Sequence, residues 1–87
     1  MKIKPEYYVS FDEDDICIMR RLADGTEETV SPISATAAMA WDGLARGLSR
    51  EAVVDAVATE FDAEPALVAA DLDALAAQLI ALGYAEE

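Results

Sequence analysis

The pattern of apolar residues in this chain changes near Ser34, and that change limits the folds that the chain can adopt. Before Ser34 the apolar residues form short runs rich in aromatic and β-branched types, which favour strands. After Ser34 they recur every three or four residues, as on one face of an amphipathic helix. Strands grouped ahead of helices are typical of the α+β class, so we expect an antiparallel sheet packed on a small helical bundle.

Three strands are predicted in the first third of the chain. Between the second and third strands, Asp24-Gly25 favours a two-residue type I′ turn, because both central positions of that turn need a positive φ. The acidic run at residues 12–15 predicts a turn between the first and second strands. The predicted strands cover residues 6–11, 16–22 and 27–31.

A two-residue turn would fix how the second and third strands pair. It would place Arg21 opposite Glu28, an attractive cross-strand pair worth at most ~1 kcal/mol. Hydrogen-bonded pairs alternate along an antiparallel ladder, so the Glu28 amide would point toward the second strand. The amides predicted to point toward the free edge are those of Glu27, Thr29 and Ser31.

Three helices are predicted after Ser34. Ser34 and Ser49 are suited to be N-caps of the first two, and Pro65 to be the first residue of the third. Gly47 and Gly83 stand where the first and third helices should end. The predicted inward residues are Ala38, Trp41, Leu44 and Ala45, then Val53, Ala56, Val57 and Phe61, then Val68, Leu72, Leu75, Leu79 and Leu82.

Charge and length narrow the classes of function. The 87 residues include 6 basic and 18 acidic side chains, for a net charge of −12. Such a surface repels nucleic acids and anionic membranes, which bind proteins through Lys and Arg. We expect one domain over residues 1–87. No signal peptide or membrane-spanning segment is recognisable, so the expected location is the cytoplasm.

The sequence offers little of the chemistry that enzymes use. It contains no histidine, which removes the commonest general base and zinc ligand, and its four glycines form no phosphate-binding loop. Cys17 is the single cysteine and has no basic neighbour, so we expect a core or half-buried thiol. The interpretation is a non-catalytic protein without metal or cofactor.

Four segments in order carry a resemblance to a known family. They are SATAAMAWDGL at residues 34–44, LSREAVV at 48–54, EFDAEP at 60–65 and VAADL at 68–72. With the strands before them, they resemble the PqqD-like family over roughly residues 15–85. The family's Asn-Glu before Thr is Ser34-Ala35 here, its aliphatic residue before Trp is Ala40, and its Asp before Pro is Glu64.

The resemblance implies a winged-helix-like fold that binds a precursor peptide. In such recognition elements the leader segment of a ribosomally made peptide adds as a strand beside the third strand and lies against the third helix. A separate enzyme, often a radical S-adenosylmethionine protein, then modifies the peptide. Carried over to this sequence, the implied peptide-binding residues are Glu27, Glu28, Thr29, Val30, Ser31, Leu67, Asp71 and Leu75.

The residues themselves also predict that the third strand is an open edge. Lys2, Lys4 and Pro5 precede the first strand and are typical of residues that block strand addition. The third strand has no proline before Pro32. Two alternatives remain open at this point: a winged-helix nucleic-acid-binding regulator, which the charge disfavours, and a structural subunit of an enzyme complex.

Overall fold

The predicted α+β class is confirmed by a computed structural model, which describes residues 1–12 and 15–87. Part of the predicted turn at residues 12–15 lies outside the described residues. The chain forms a three-stranded antiparallel sheet and then three helices. The elements are β1 (Lys2–Ile3), β2 (Tyr7–Phe11), β3 (Ile16–Arg21), β4 (Glu27–Pro32), α1 (Ala35–Ala45), α2 (Arg50–Phe61), α3 (Pro65–Ala81) and β5 (Ala85–Glu86).

A second, two-stranded sheet joins the two ends of the described chain. Ile3 in β1 pairs with Ala85 in β5, and both side chains are buried. Lys2 therefore belongs to this small sheet, whereas the sequence pattern predicted that it would guard the edge of β2. These strands were not predicted because two residues are too few to show an alternating pattern.

The loop between β3 and β4 has three residues, so the predicted two-residue type I′ turn is wrong. The Leu22 amide donates to the Thr26 carbonyl at 2.8 Å, and the Gly25 amide donates to the Leu22 carbonyl at 3.0 Å. Gly25, with φ of 88°, takes the left-handed conformation that the end of such a loop requires. The Thr26 hydroxyl donates to the Asp24 carboxylate at 2.6 Å and holds the loop closed.

The longer loop moves the strand pairing by one residue. Arg21 lies opposite Glu27 and Arg20 opposite Glu28, so the predicted Arg21–Glu28 pair is wrong. The register then shifts again between Ile18 and Met19, which pair with Ser31 and Thr29. Val30 is the extra residue of this β-bulge.

The core consists of two clusters that meet along α1 and α3. One cluster lies between α1, α2 and α3, and the other joins the sheets to the helices around Trp41, which is 1% exposed. Leu44 and Leu75 are half-buried and pack against both. Of the inward residues predicted, the exposed ones are Ala45, Ala56, Phe61 and Leu82.

Three of these four errors have local causes. The buried face of α2 is made by Val53, Val54, Val57 and Ala58, so the helix is rotated away from Ala56. Phe61 is the last residue of α2, and Leu82 is the C-cap of α3. Both therefore lie at the end of their helix, outside the part that supplies its buried residues.

Candidate functional site

The β4 strand is an edge of the three-stranded sheet. The strand order is β2-β3-β4, and within residues 1–12 and 15–87 no strand pairs with the outer side of β4. The Leu22–Thr26 hydrogen bond fixes the alternation along this hairpin, so the Glu28 amide points toward β3. The amides of Glu27 and Thr29 therefore point toward the free edge, as predicted.

The free edge ends sooner than the sequence pattern predicted. The Ile33 amide donates to the Ile16 carbonyl at 3.0 Å, which marks a bonded pair at the end of β4. Hydrogen-bonded and non-bonded pairs alternate along the ladder, so the backbone nitrogen of Pro32, the residue before Ile33, faces the free edge. Proline has no N–H, so this position offers no donor to an added strand. One residue earlier, the Ser31 amide points toward β3. The prediction for the Ser31 amide is wrong because the bulge at Val30 reverses the alternation.

The two glutamates of the edge are paired with arginines of β3. Glu27 lies 3.8 Å from Arg21, and Glu28 lies 3.4 Å from Arg20, measured between carboxylate oxygens and guanidinium nitrogens. All four side chains are about half exposed, so each pair adds little to stability. Partial burial raises the pKa of the Tyr8 phenol, and the nearby Glu27 carboxylate raises it further.

An apolar pocket of about 200 Å³ opens between the three helices. It is smaller than the ~300–1,000 Å³ of typical small-molecule sites, and suits one or two inserted side chains. Its polar members are Ser34, Thr36 and Asp71, and all three are exposed. The other lining residues are Ala37, Ala40, Val53, Val57, Val68, Leu72 and Leu75.

The β4 edge and the pocket are close to each other along the chain. Ser34 lines the pocket only two residues after β4 ends. Val30 of β4 and Leu75 of α3 pack on the same core cluster, around Trp41. Asp71 and Leu75 both line the pocket, whose lining begins two residues after β4.

Leu67, the remaining predicted residue, lies apart from the pocket lining. It is in the first turn of α3, and its side chain is 62% exposed. The α1 wall of the pocket, which Thr36, Ala37 and Ala40 form, was not predicted from the sequence. A signal was present, since Ala37 and Ala40 are three residues apart on the face beside Trp41.

The described residues also bear on three other kinds of feature: metal-binding clusters, membrane-spanning helices and free thiols. Among residues 1–12 and 15–87, no three His, Cys, Asp or Glu side chains lie close enough to bind a metal ion. In the same part of the chain, no helix has the length and apolar character needed to cross a membrane. Cys17 is a half-buried free thiol, as predicted.

Comparison with known proteins assigns the family. The chain is similar to a solved structure described as TbiB1 in complex with the TbiA(beta) leader peptide, at a TM-score of 0.71 and 24% identity. That alignment covers 99% of this chain and 95% of the other. No curated protein matches the chain. The family model for coenzyme PQQ synthesis protein D matches residues 26–85, well over half of the sequence, and the chain therefore belongs to the PqqD family.

Proposed function

We propose that this chain is a non-catalytic adapter that binds the leader segment of a ribosomally made precursor peptide. In this proposal the leader adds as a strand to β4, and residues 1–87 act as one recognition domain. A separate enzyme modifies the peptide, and a radical S-adenosylmethionine protein is the class that the family suggests. The observation that carries the proposal is the free β4 edge, together with an apolar pocket beside α3 whose lining begins two residues after the strand.

The similar structure supports this choice of ligand. There TbiB1, a protein of the same fold, is in complex with a leader peptide. A strand added to an open sheet edge gains affinity from main-chain hydrogen bonds, and side-chain pockets give it specificity. An open edge and a pocket are both present on this chain within a few residues of each other.

The geometry suggests how the leader would be held. The amides of Glu27 and Thr29 would donate to carbonyl groups of the leader. One large apolar side chain of the leader would enter the pocket against Leu75 and Leu72. Asp71 lines the same pocket and is exposed, so a Lys or Arg next to the apolar residue would pair with its carboxylate.

Charge favours a peptide over a nucleic acid. The net charge of −12 opposes any phosphate backbone, whereas it attracts a peptide that carries Lys or Arg. The proposed adapter would therefore bind a basic leader faster and more tightly at low salt than at high salt.

The experiment is a titration of the chain with the leader peptide of a candidate precursor. Isothermal calorimetry would give the Kd, and amide NMR shifts would locate the site, with a scrambled leader as the control. We expect shifts at residues 27–31 and at Asp71 and Leu75, and weaker binding as salt rises from about 50 to 500 mM. A chain that ignores the leader but binds the modifying enzyme would instead be a structural subunit.

A further inference from the structure

A second groove lies at the end of the three-stranded sheet where β2 ends and β3 begins. Two exposed aromatic residues face it: Phe11 at the end of β2 is 60% exposed, and Phe61 at the end of α2 is 39% exposed. Single exposed apolar residues are ordinary, but two that share one groove leave more apolar surface together than either does alone. The groove, which we name the Phe11–Phe61 groove, is lined by Phe11, Ile16, Ala35, Met39, Asp42, Arg46, Glu60 and Phe61.

The Phe11–Phe61 groove and the pocket beside α3 use different faces of α1. Met39, Asp42 and Arg46 line the groove, whereas Ala37 and Ala40 line the pocket. The two sites have no lining residue in common. The β4 edge is also on the far side of the sheet from Phe11, because β3 lies between β2 and β4. A molecule that contacts Phe11 and Phe61 would therefore leave the outer side of β4 open.

The side chains in the groove suit an adaptable protein contact. Phe11 and Phe61 provide large apolar surfaces that lose little conformational freedom on binding. Met39, a half-buried member of the lining, is unbranched and fits partners of different shapes. Neither aromatic side chain is among the buried residues of the core, so their exposed surface is available for a partner.

The charges around the groove indicate the chemistry of the partner. Arg46 is already held by Asp42, with 2.7 Å between its Nη2 and the carboxylate oxygen. Glu60 makes no ion pair within the described part of the chain. Asp15 precedes Ile16, and Asp62 follows Phe61, which adds further negative charge near the lining. The groove is thus apolar with an acidic rim.

The same charge argues against a second copy of this chain as the occupant. Two copies would bring net charges of −12 together and repel each other. Anionic membranes are disfavoured for the same reason. We infer that the Phe11–Phe61 groove docks a partner protein whose contact segment carries apolar side chains flanked by Lys or Arg, while the leader site stays accessible.

The test uses a synthetic amphipathic peptide of Leu and Lys as the probe. The full chain, labelled with ¹⁵N, is titrated with this peptide and with a matched peptide of Leu and Glu. We expect the Leu–Lys peptide to shift the amides of Phe11, Ile16, Met39 and Phe61, and the Leu–Glu peptide to shift none of them. The double variant F11S/F61S should weaken binding of the Leu–Lys peptide by about tenfold or more, as loss of two central aromatic contacts does.

Two further variants separate the groove from general charge attraction. Leu82→Ser removes an equally exposed apolar side chain outside both sites, and should change the affinity less than about twofold. Glu60→Lys should weaken binding several-fold, because it reverses a charge on the rim. Thermal melts and amide spectra of each variant confirm that it is folded.

The inference fails if the Leu–Lys peptide shifts none of the amides of Phe11, Ile16, Met39 and Phe61, or if L82S weakens binding as much as F11S/F61S. It also fails if sedimentation shows a dimer that F11S/F61S abolishes, since a second copy would then be the occupant. Binding to vesicles that requires Phe11 and Phe61 would likewise overturn it. Shifts at residues 27–31 and Asp71 would report the leader site, whose chemistry the same peptide fits. The positions of the shifts therefore separate a failure of this inference from a failure of the proposed adapter function.

Discussion

Arg20 lies opposite Glu28 across the ladder between β3 and β4, and its Nη1 atom is 3.4 Å from Oε1 of Glu28. This pairing results from the three-residue loop that ends at Gly25. In this register the Glu28 amide is hydrogen-bonded to β3, while the amides of Glu27 and Thr29 remain free at the edge. Proline substitutions on β4 can therefore separate peptide binding from the stability of the hairpin.

Thr29→Pro removes a free edge amide and should weaken leader binding. The loss of one donor at a buried main-chain hydrogen bond costs about 1–3 kcal/mol, or roughly 5-fold to 150-fold in Kd. The amide makes no bond to β3, so the melting temperature should stay close to that of the parent chain. Thr29→Val is the control, since it removes the hydroxyl that contacts Met19 Sδ at 3.6 Å but keeps the amide. Equal Kd values for the two folded variants would exclude strand addition here.

Glu28→Pro should destabilise the hairpin itself. It removes a donor that pairs with β3 and leaves the Arg20 carbonyl without its partner, at a cost of about 1–3 kcal/mol. For a domain of this size, each kcal/mol lowers the melting temperature by roughly 4–8 °C. Glu28→Val, which keeps the amide and loses only the exposed ion pair, should melt near the parent. A stable Glu28→Pro variant would show that the register differs from the one described.

Alanine substitutions at two leucines of α3 should differ in their effects on leader binding and on the free energy of unfolding. Leu67 is 62% exposed, so Leu67→Ala should change the free energy of unfolding by less than ~1 kcal/mol while weakening leader binding. Leu72 is 4% exposed, so Leu72→Ala should cost about 2–5 kcal/mol. Urea unfolding and calorimetric titration measure the two quantities. If leader affinity does not change in Leu67→Ala, the contact surface on α3 is limited to the pocket around Asp71 and Leu75.

The ion pair between α2 and α3 should make part of the stability depend on pH. Arg50 donates from Nε and Nη2 to the two carboxylate oxygens of Asp73, each at 2.8 Å. These hydrogen bonds hold the pKa of Asp73 below its ordinary value of 3.8. A lowered carboxyl pKa stabilises the folded state above pH 3.8, and that contribution is lost as the pH falls through the folded-state pKa.

Asp73→Asn tests this pair. At pH 7 the parent chain should melt above the variant, by a small margin because both side chains are at least half exposed. The margin should shrink as the pH falls below 3.8. Asp55→Asn, which removes an exposed carboxylate of α2, controls for the change in net charge. A margin that is constant with pH would mean that the pair does not stabilise the fold.

The sequence determined those features that depend on neighbours within about four residues. Ser34 and Ser49 each accept a hydrogen bond from the amide three residues later, at 3.1 Å, as their positions predicted. Pro65 begins α3, and Gly83 follows its end with φ of 82°. The β-formers Thr29 and Val30 after the turn at Asp24-Gly25 predicted a strand, and its place as the last of three predicted an edge.

Only the tertiary structure decided which distant residues meet. Ile3 pairs with Ala85 from the other end of the chain, and no local pattern encodes that contact. A Cβ on Gly43 would lie 2.9 Å from Cγ2 of Val53, so the close approach of α1 to α2 requires this glycine. Asp24-Gly25 fits either a two-residue or a three-residue loop, and the one-residue difference in register between them changes which residues face each other across β3 and β4. The pocket beside α3 arises in the same way, because its walls come from three helices whose spacing is set by long-range packing.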